Sequence, residues 1–205
     1  MAQITSGIRS VLSNPVIYDL SQNIMGAKRI RSELVQEFIR PKSGQRILDI
    51  GCGTAEILSA MPLGVEYVGF DISEIYIQTA RQRFGSKGAF HLGLFDKKIA
   101  PSLGAFDTVI ILGALHHMDD RVVDELFSVV SSVMKPDGRV VTIDPCFDIS
   151  QGHIAKFLIS RDRGRNVRTS IGYASLSQDY FSDVKGVLRH RAWIPYTHWI
   201  MECKK

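Results

Sequence analysis

Between Arg46 and Asp144 the chain repeats one pattern: a short apolar run, a stretch with helical spacing or a turn, then another apolar run. The runs RILDI, EYVGF, AFHL, FDTVIIL and RVVTID have strand length and are rich in β-branched and aromatic residues. TAEILSAM reads as a short helix closed by Pro62, and SEIYIQTARQRF as a longer one with Ser73 at its N-cap and Gly85 just past its end. DRVVDELFSVVSSVM, with apolar residues three and four apart, is a third helix, and KPDG is a turn into RVVTID. Strands that alternate with helices pair as parallel neighbours through crossovers. The pattern therefore predicts an α/β fold, a doubly wound parallel sheet with helices on both faces.

The flanks modify this prediction. Before the first strand, SQNIMGAKRIRSELVQEFIR places Ala27, Ile30, Leu34 and Phe38 on one helical face, and Pro41 stops the helix. After about residue 146 the rhythm breaks into a polar, arginine-bearing segment, followed by VKGVLRHRAW and YTHWIMEC, two strand-like runs joined at Ile194 and Pro195. They predict a hairpin, so the sheet should be mostly parallel and end in antiparallel strands. A chain of 205 residues with 45% hydrophobic content suits one domain, residues 1–205, and no repeat or linker marks off a second.

The turn LDIGCGTA, Leu48 to Ala55, follows the first strand. Gly51 and Gly53 let the backbone approach a ligand at the carboxyl end of the sheet. Asp71 ends the second strand, 22 residues after Asp49, where a carboxylate can accept hydrogen bonds from two ribose hydroxyls. A nucleoside-containing ligand is expected. Asp49 points to one whose other half is cationic, because a carboxylate in that turn would repel a pyrophosphate. A methionine moiety with its ammonium and a sulfonium meets that description.

These residues resemble the class I S-adenosylmethionine-dependent methyltransferases, small proteins with LDIGCGTG after the first strand. LDIGCGTA is similar to the family's first motif, YVGFDIS to its second, FDTVIILGALHHM to its fourth-strand motif and MKPDGRVVTIDP to its turn and fifth strand. The final hairpin resembles the family's antiparallel last strand. The resemblance implies a Rossmann-like sheet with S-adenosylmethionine as cofactor. It implies that Asp49, Gly51, Cys52 and Gly53 line the methionine half, that Asp71 holds the ribose with Ile72 against the adenine, and that Leu94 and Phe95 cover the other adenine face. By the same resemblance Leu112 and Gly113 approach the methionine ammonium, residues 1–41 form a helical lid segment with Tyr18 as its lid residue, and residues 146–182 are a substrate-recognition insertion. Two positions depart from the family pattern: Ala55 stands where a glycine usually closes the first motif, and Leu94 where many relatives carry an aspartate for the adenine amino group, a role open to Asp96.

Methyl transfer requires an aligned nucleophile and, for a hydroxyl, removal of its proton. His116 and His117, just after the fourth strand, are the candidate bases, with a structural or cofactor-packing role as the alternative. Arg161, Arg163, Arg165 and Arg168, set against the single acid Asp162, are candidate anion ligands or a solvated face. A phosphate- or carboxylate-bearing small molecule is the substrate the first option predicts. Tyr196 and His198 share one side of their strand and either touch substrate or pack the hairpin; Trp193, Tyr173, Tyr180 and His153 are weaker candidates of the same kind.

Composition removes several classes. No apolar run of 18 residues suggests a membrane span, and the start has no signal-peptide pattern, so a cytoplasmic protein is expected. Cys52, Cys146 and Cys203 lack metal or disulfide spacing, adjacent histidines alone do not make a metal site, and no metal is expected. A net charge of +4 without a basic stripe ranks nucleic acid below a small-molecule partner. The expected activity is methyl transfer to oxygen or nitrogen of a small metabolite or glycan precursor. The alternatives are a nicotinamide-dependent oxidoreductase and a non-catalytic S-adenosylmethionine-binding protein. The sequence is silent on oligomeric state.

Overall fold

A computed structural model describes residues 27–162, 164–191 and 195–205. Tyr18, Arg163 and Trp193, with most of the expected lid segment, lie outside the described residues. The chain divides into two compact units, the first ending at Leu94 and the second beginning at Phe95.

In the first unit, helix α1 (Ala27–Glu33) runs into a wider π turn over Leu34–Ile39. The amide of Arg40 closes that turn on Val35 O at 2.7 Å, and Arg40 takes a left-handed conformation. The extra residue per turn rotates the apolar face. Leu34, Val35 and Ile39 are buried and Phe38 is only half-buried, which departs from the regular spacing read in the sequence. Strands β1 (Arg46–Ile50), β2 (Glu66–Asp71) and β3 (Gly88–Leu92) are parallel, with Ile50 beside Phe70 and Asp71 beside Leu92. Ile47, Leu48, Tyr67, Val68 and Phe70 are buried, as a sheet covered on both faces requires. A 3-10 turn, Glu56–Ala60, follows β1, and α2 (Glu74–Phe84) follows β2. Ser73 caps α2 by accepting from the Tyr76 amide at 3.4 Å. Arg81 ties α2 to β3 through two bonds to Phe90 O.

The second unit contains a short helix α3 (Ala100–Leu103), strand β4 (Phe106–Leu112), a 3-10 turn Leu115–His117, helix α4 (Asp120–Ser132) and strand β5 (Met134–Phe147). Helix α4 buries Val123, Leu126, Phe127 and Val130, one face of a 3.6-residue period. Its N-cap, Asp119, accepts from Val122 N at 3.0 Å. β5 runs parallel to β4, and Lys135–Gly138 bulge out of the pairing because Phe106 partners Met134 while Thr108 partners Arg139. The turn expected at KPDG is this bulge.

Then come helix α5 (His153–Ser160), a two-residue strand β6 (Arg168–Thr169) beside the end of β5, and helix α6 (Ser170–Ser177). Strands β7 (Asp183–Arg191) and β8 (Tyr196–Lys204) form the antiparallel hairpin. β8 also pairs antiparallel with β5, so the last strand lies inside the sheet, between β5 and β7. Ile200, Met201 and Cys203 are accordingly buried. At Gly186 of β7, an added Cβ would lie 2.0 Å from the Trp199 ring of β8; only glycine leaves room for that indole. The fold is α/β, mostly parallel with antiparallel C-terminal strands, as the alternation of elements predicts. Among the described residues no helix is long and apolar enough to cross a membrane.

Candidate active site

The turn after β1 rests on positive-φ residues, with Gly51 at 78°, Gly53 at 55° and Ala55 at 57°. The amides of Gly51 and Cys52 both donate to Phe70 O, at 2.8 and 3.0 Å. Gly53 N donates to Asp71 Oδ2 at 2.9 Å, and Ser73 N to Asp71 Oδ1 at 2.8 Å. Asp71 thus staples two loops together, and each of its oxygens retains a further lone pair for a ribose hydroxyl. A Cβ at Gly53 would meet nothing within 4 Å, so the turn leaves open space beside its backbone.

Beneath the turn, Asp49 is 2% exposed. Tyr67 donates its hydroxyl to Asp49 Oδ2 at 2.6 Å, while Oδ1 is buried with no partner. Burial pushes the carboxyl up to about 7, with Tyr67 opposing the shift and Asp71 adding to it. A buried carboxylate oxygen without a donor is costly, and a cation brought by a ligand would relieve that cost. The orphaned oxygen and the open turn fit the methionine half of S-adenosylmethionine. Ile72 and Leu94 are 49% and 60% exposed at the ends of β2 and β3, apolar surface of the kind an adenine covers. Cys52 is half-buried, and burial drives its thiol well above the ordinary range.

In the second unit the expected residues lie differently. Phe95 is buried and presents no open ring face. Asp96 caps α3 by accepting from Lys98 N and Ile99 N. Gly113 has φ 70° and donates its amide to Ile143 O at 2.7 Å; beside it Leu112 is half-buried.

His116 is 6% exposed, and both of its ring nitrogens meet carboxylates. Nδ1 lies 2.8 Å from Asp144 Oδ1 and Nε2 3.2 Å from Asp162 Oδ1. Burial alone would lower its pKa, but the two carboxylates outweigh burial and raise it to about 9. At neutral pH it is an imidazolium that donates both N–H groups. That corrects the expectation of His116 as a free base, because neither nitrogen is open to accept a proton. Asp162 also accepts from Gly164 N at 2.8 Å and from the Tyr196 hydroxyl. Burial would raise Asp162, yet the bonds from His116, Tyr196 and Gly164 hold it well below the ordinary carboxylate range. His117 is half-buried and stacks at a tilt on His116, centroids 4.1 Å apart.

Among the described arginines of the 161–168 run, three different placements are seen. Arg168 donates to Asp120, Leu115 O, Met118 O and Asn166 O, so its guanidinium is consumed in holding the loop after β4. Asn166 N adds a bond to His116 O at 3.0 Å. Arg161 lies over the Phe157 ring at 5.3 Å, and Arg165 is exposed. Tyr196 and His198 do come together, ring centroids 5.1 Å apart. Tyr173 donates to Pro145 O at 3.0 Å and Tyr180 to Asp124 at 2.6 Å, both structural contacts. Tyr67, Asp144 and Asp162 are the members the sequence reading missed. Each carried a signal: a tyrosine or an acid in a strand otherwise apolar must find a partner, and Asp162 is the lone acid among arginines.

The α/β fold is shared with known proteins. Residues 48–140 match the family model of a methyltransferase domain. The chain is 31% identical over 114 residues to the O-methyltransferase resE of Aspergillus sclerotiorum, covering 52% of this chain and 42% of that protein. It is 25% identical over 188 residues to an uncharacterized methyltransferase of Bacillus pumilus, covering 85% of this chain and 83% of that one. The chain therefore spans less than half the length of the fungal relative. The solved magnesium protoporphyrin IX methyltransferase of Synechocystis PCC 6803, which holds bound SAH, superposes with a TM-score of 0.69 at 17% identity over 95% of this chain and 97% of that one. Residues 48–140 thus carry the match to a methyltransferase domain, and the sheet around them has the class I, Rossmann-like methyltransferase fold.

Proposed function

We propose that the chain binds S-adenosylmethionine through the turn after β1 and transfers its methyl group to an oxygen of a small-molecule acceptor. The observation that carries this reading is the buried, unpartnered Oδ1 of Asp49 beneath an open glycine turn. When bound, the cofactor supplies an electrophilic methyl on a sulfonium. Asp49, Gly51, Cys52 and Gly53 hold its methionine half, Asp71 accepts from the ribose hydroxyls, and Ile72 and Leu94 flank the adenine; Leu112 and Gly113 keep the ammonium role that the family resemblance gives them. Oxygen is preferred as acceptor because the fungal relative is named an O-methyltransferase.

His116 takes the role of a charged brace, because both its nitrogens are committed. His117 is the candidate for the acceptor's proton. Alignment supplies most of the rate, so a single base of ordinary strength is sufficient.

Calorimetric titration with S-adenosylmethionine, S-adenosylhomocysteine and NAD tests the cofactor. Micromolar binding of the two adenosyl ligands and none of NAD is expected. Binding of NAD alone would return the chain to the oxidoreductase alternative, and binding of none would remove the cofactor role from Asp49.

A further inference from the structure

Beside the His116 brace, within the second unit, an open cleft of about 440 Å³ lies between the start of α5 and the start of β8. Ile154, Ala155 and the Tyr196 ring form its apolar wall, with Pro195 next to them. Ile154 is 66% exposed there. The polar side chains of the cleft are Ser150, His153 and His190, with His190 Nε2 3.3 Å from Ser150 Oγ and Nδ1 3.1 Å from Thr197 Oγ1. Tyr196 is held in place, since its hydroxyl donates to Asp162, which in turn is held by His116.

The Ser150 end does not favour an anion. Behind Ser150 stands Asp148, which accepts from the Ser150 amide at 2.8 Å and from its hydroxyl. A phosphate at Ser150 would face that carboxylate at close range. The described lining includes no Lys or Arg; its only basic side chains are the imidazoles of His153 and His190, and Arg168 is committed to the loop after β4. An apolar wall with one aromatic face and a few hydroxyl and imidazole groups is the common form of a small-molecule pocket, and this wall suits a ring compound.

We propose that this cleft binds the methyl acceptor, and that the acceptor is an uncharged ring compound bearing a hydroxyl, seated against Tyr196 and Ile154 with a polar substituent on Ser150 and His190. The inference rests on the methyltransferase reading and replaces the phosphate- or carboxylate-bearing substrate expected from the arginines.

A matched pair of probes tests it: 2-naphthol and 2-naphthyl phosphate, which share a ring and differ in charge. Each is titrated into the chain alone and into the chain saturated with S-adenosylhomocysteine, following the methyl resonances of Ile154 and Ala155. The expected result is that 2-naphthol shifts both methyls and binds at least tenfold more tightly than the phosphate. Ile154→Asp, at an exposed position, should weaken 2-naphthol at least tenfold and leave S-adenosylhomocysteine affinity within twofold. Equal or tighter binding of the phosphate overturns the proposal, as does an unchanged response of either methyl or of the Ile154→Asp variant. If S-adenosylhomocysteine itself does not bind, the cofactor reading has failed. The naphthol comparison on the chain alone still judges the cleft, because all its described lining lies within one unit.

Discussion

Asp49 concentrates the chemistry of the turn after β1 in one ionisable group. Its carboxyl is raised to about 7 by burial, against an ordinary value of 3.8, so in the unliganded chain it is neutral below that pH and charged above it. A cationic ligand prefers the charged form, and the proton must leave before the ligand settles. Affinity for S-adenosylmethionine should therefore hold above pH 7 and weaken as pH falls, approaching about tenfold per unit well below 7. Calorimetry between pH 5 and 8 checks this, and Asp49→Asn should bind weakly with a flat profile. The same shift has a consequence for stability. A raised carboxylic acid disfavours the folded state once ionised, so the empty chain loses stability as pH rises from about 4 through 7, and ligand binding restores it. Ala55 is a separate matter. It holds a left-handed conformation at φ 57°, which costs a non-glycine residue about 1 kcal/mol, while its buried methyl returns a similar amount, so Ala55→Gly should shift stability by less than about 1 kcal/mol.

At the scale of elements, the segment between β5 and β7 is fastened by charge as well as by the buried Ile159, Tyr173 and Phe181. Asp162 meets His116, Asn166 meets the His116 carbonyl, and Arg168 grips the turn at Leu115, Met118 and Asp120, so three consecutive stretches share one anchor. His116 is raised from 6.5 to about 9, and the stability it contributes is complete below 6.5 and is lost as pH rises through about 9. Thermal melts across pH 7 to 10 should show a fall that His116→Gln abolishes. Asp162 is depressed instead, and its contribution is present above the ordinary carboxylate range and lost only in strong acid. Asp162→Asn removes one partner from a largely buried cation and should cost roughly 3 kcal/mol. Gly164→Ala reaches the same anchor sterically. Its Cβ would lie 2.0 Å from His116 Cδ2 and 2.6 Å from His116 O, forcing the imidazole or the segment to move, for a loss of about 1–3 kcal/mol in denaturant unfolding.

Over the whole molecule, what could be read from the sequence was what is local along it. The alternation of strands and helices gave the fold class, and Asp49, Gly51, Gly53 and Asp71 stood out as candidates because two strand ends and their turns carry them. The His116 anchor could not be read, because Asp144 lies 28 residues from His116 and Tyr196 lies 34 from Asp162, and only the folded chain brings them together. The arginine run shows the same limit: the sequence left it open between an anion site and a solvated face, and Arg168 turns to a loop some 50 positions earlier. The hairpin was legible as a pair of strands, but its placement was not. Nothing in YTHWIMEC says that it enters between β5 and β7, which makes the last strand central to the second unit. Truncation after Pro195 should therefore be far more damaging than loss of an edge strand. β5 would lose its partners from Arg139 to Pro145, β7 would lose every strand partner it has among the described residues, and Ile200, Met201 and Cys203 would vanish from the core. Each large buried side chain is worth about 2–5 kcal/mol, so several together exceed the 5–15 kcal/mol of a typical domain. The truncated chain should lose the dispersed methyl spectrum of Val140, Val141 and Ile143, and a truncated chain that kept those resonances would place β8 at the edge of the sheet.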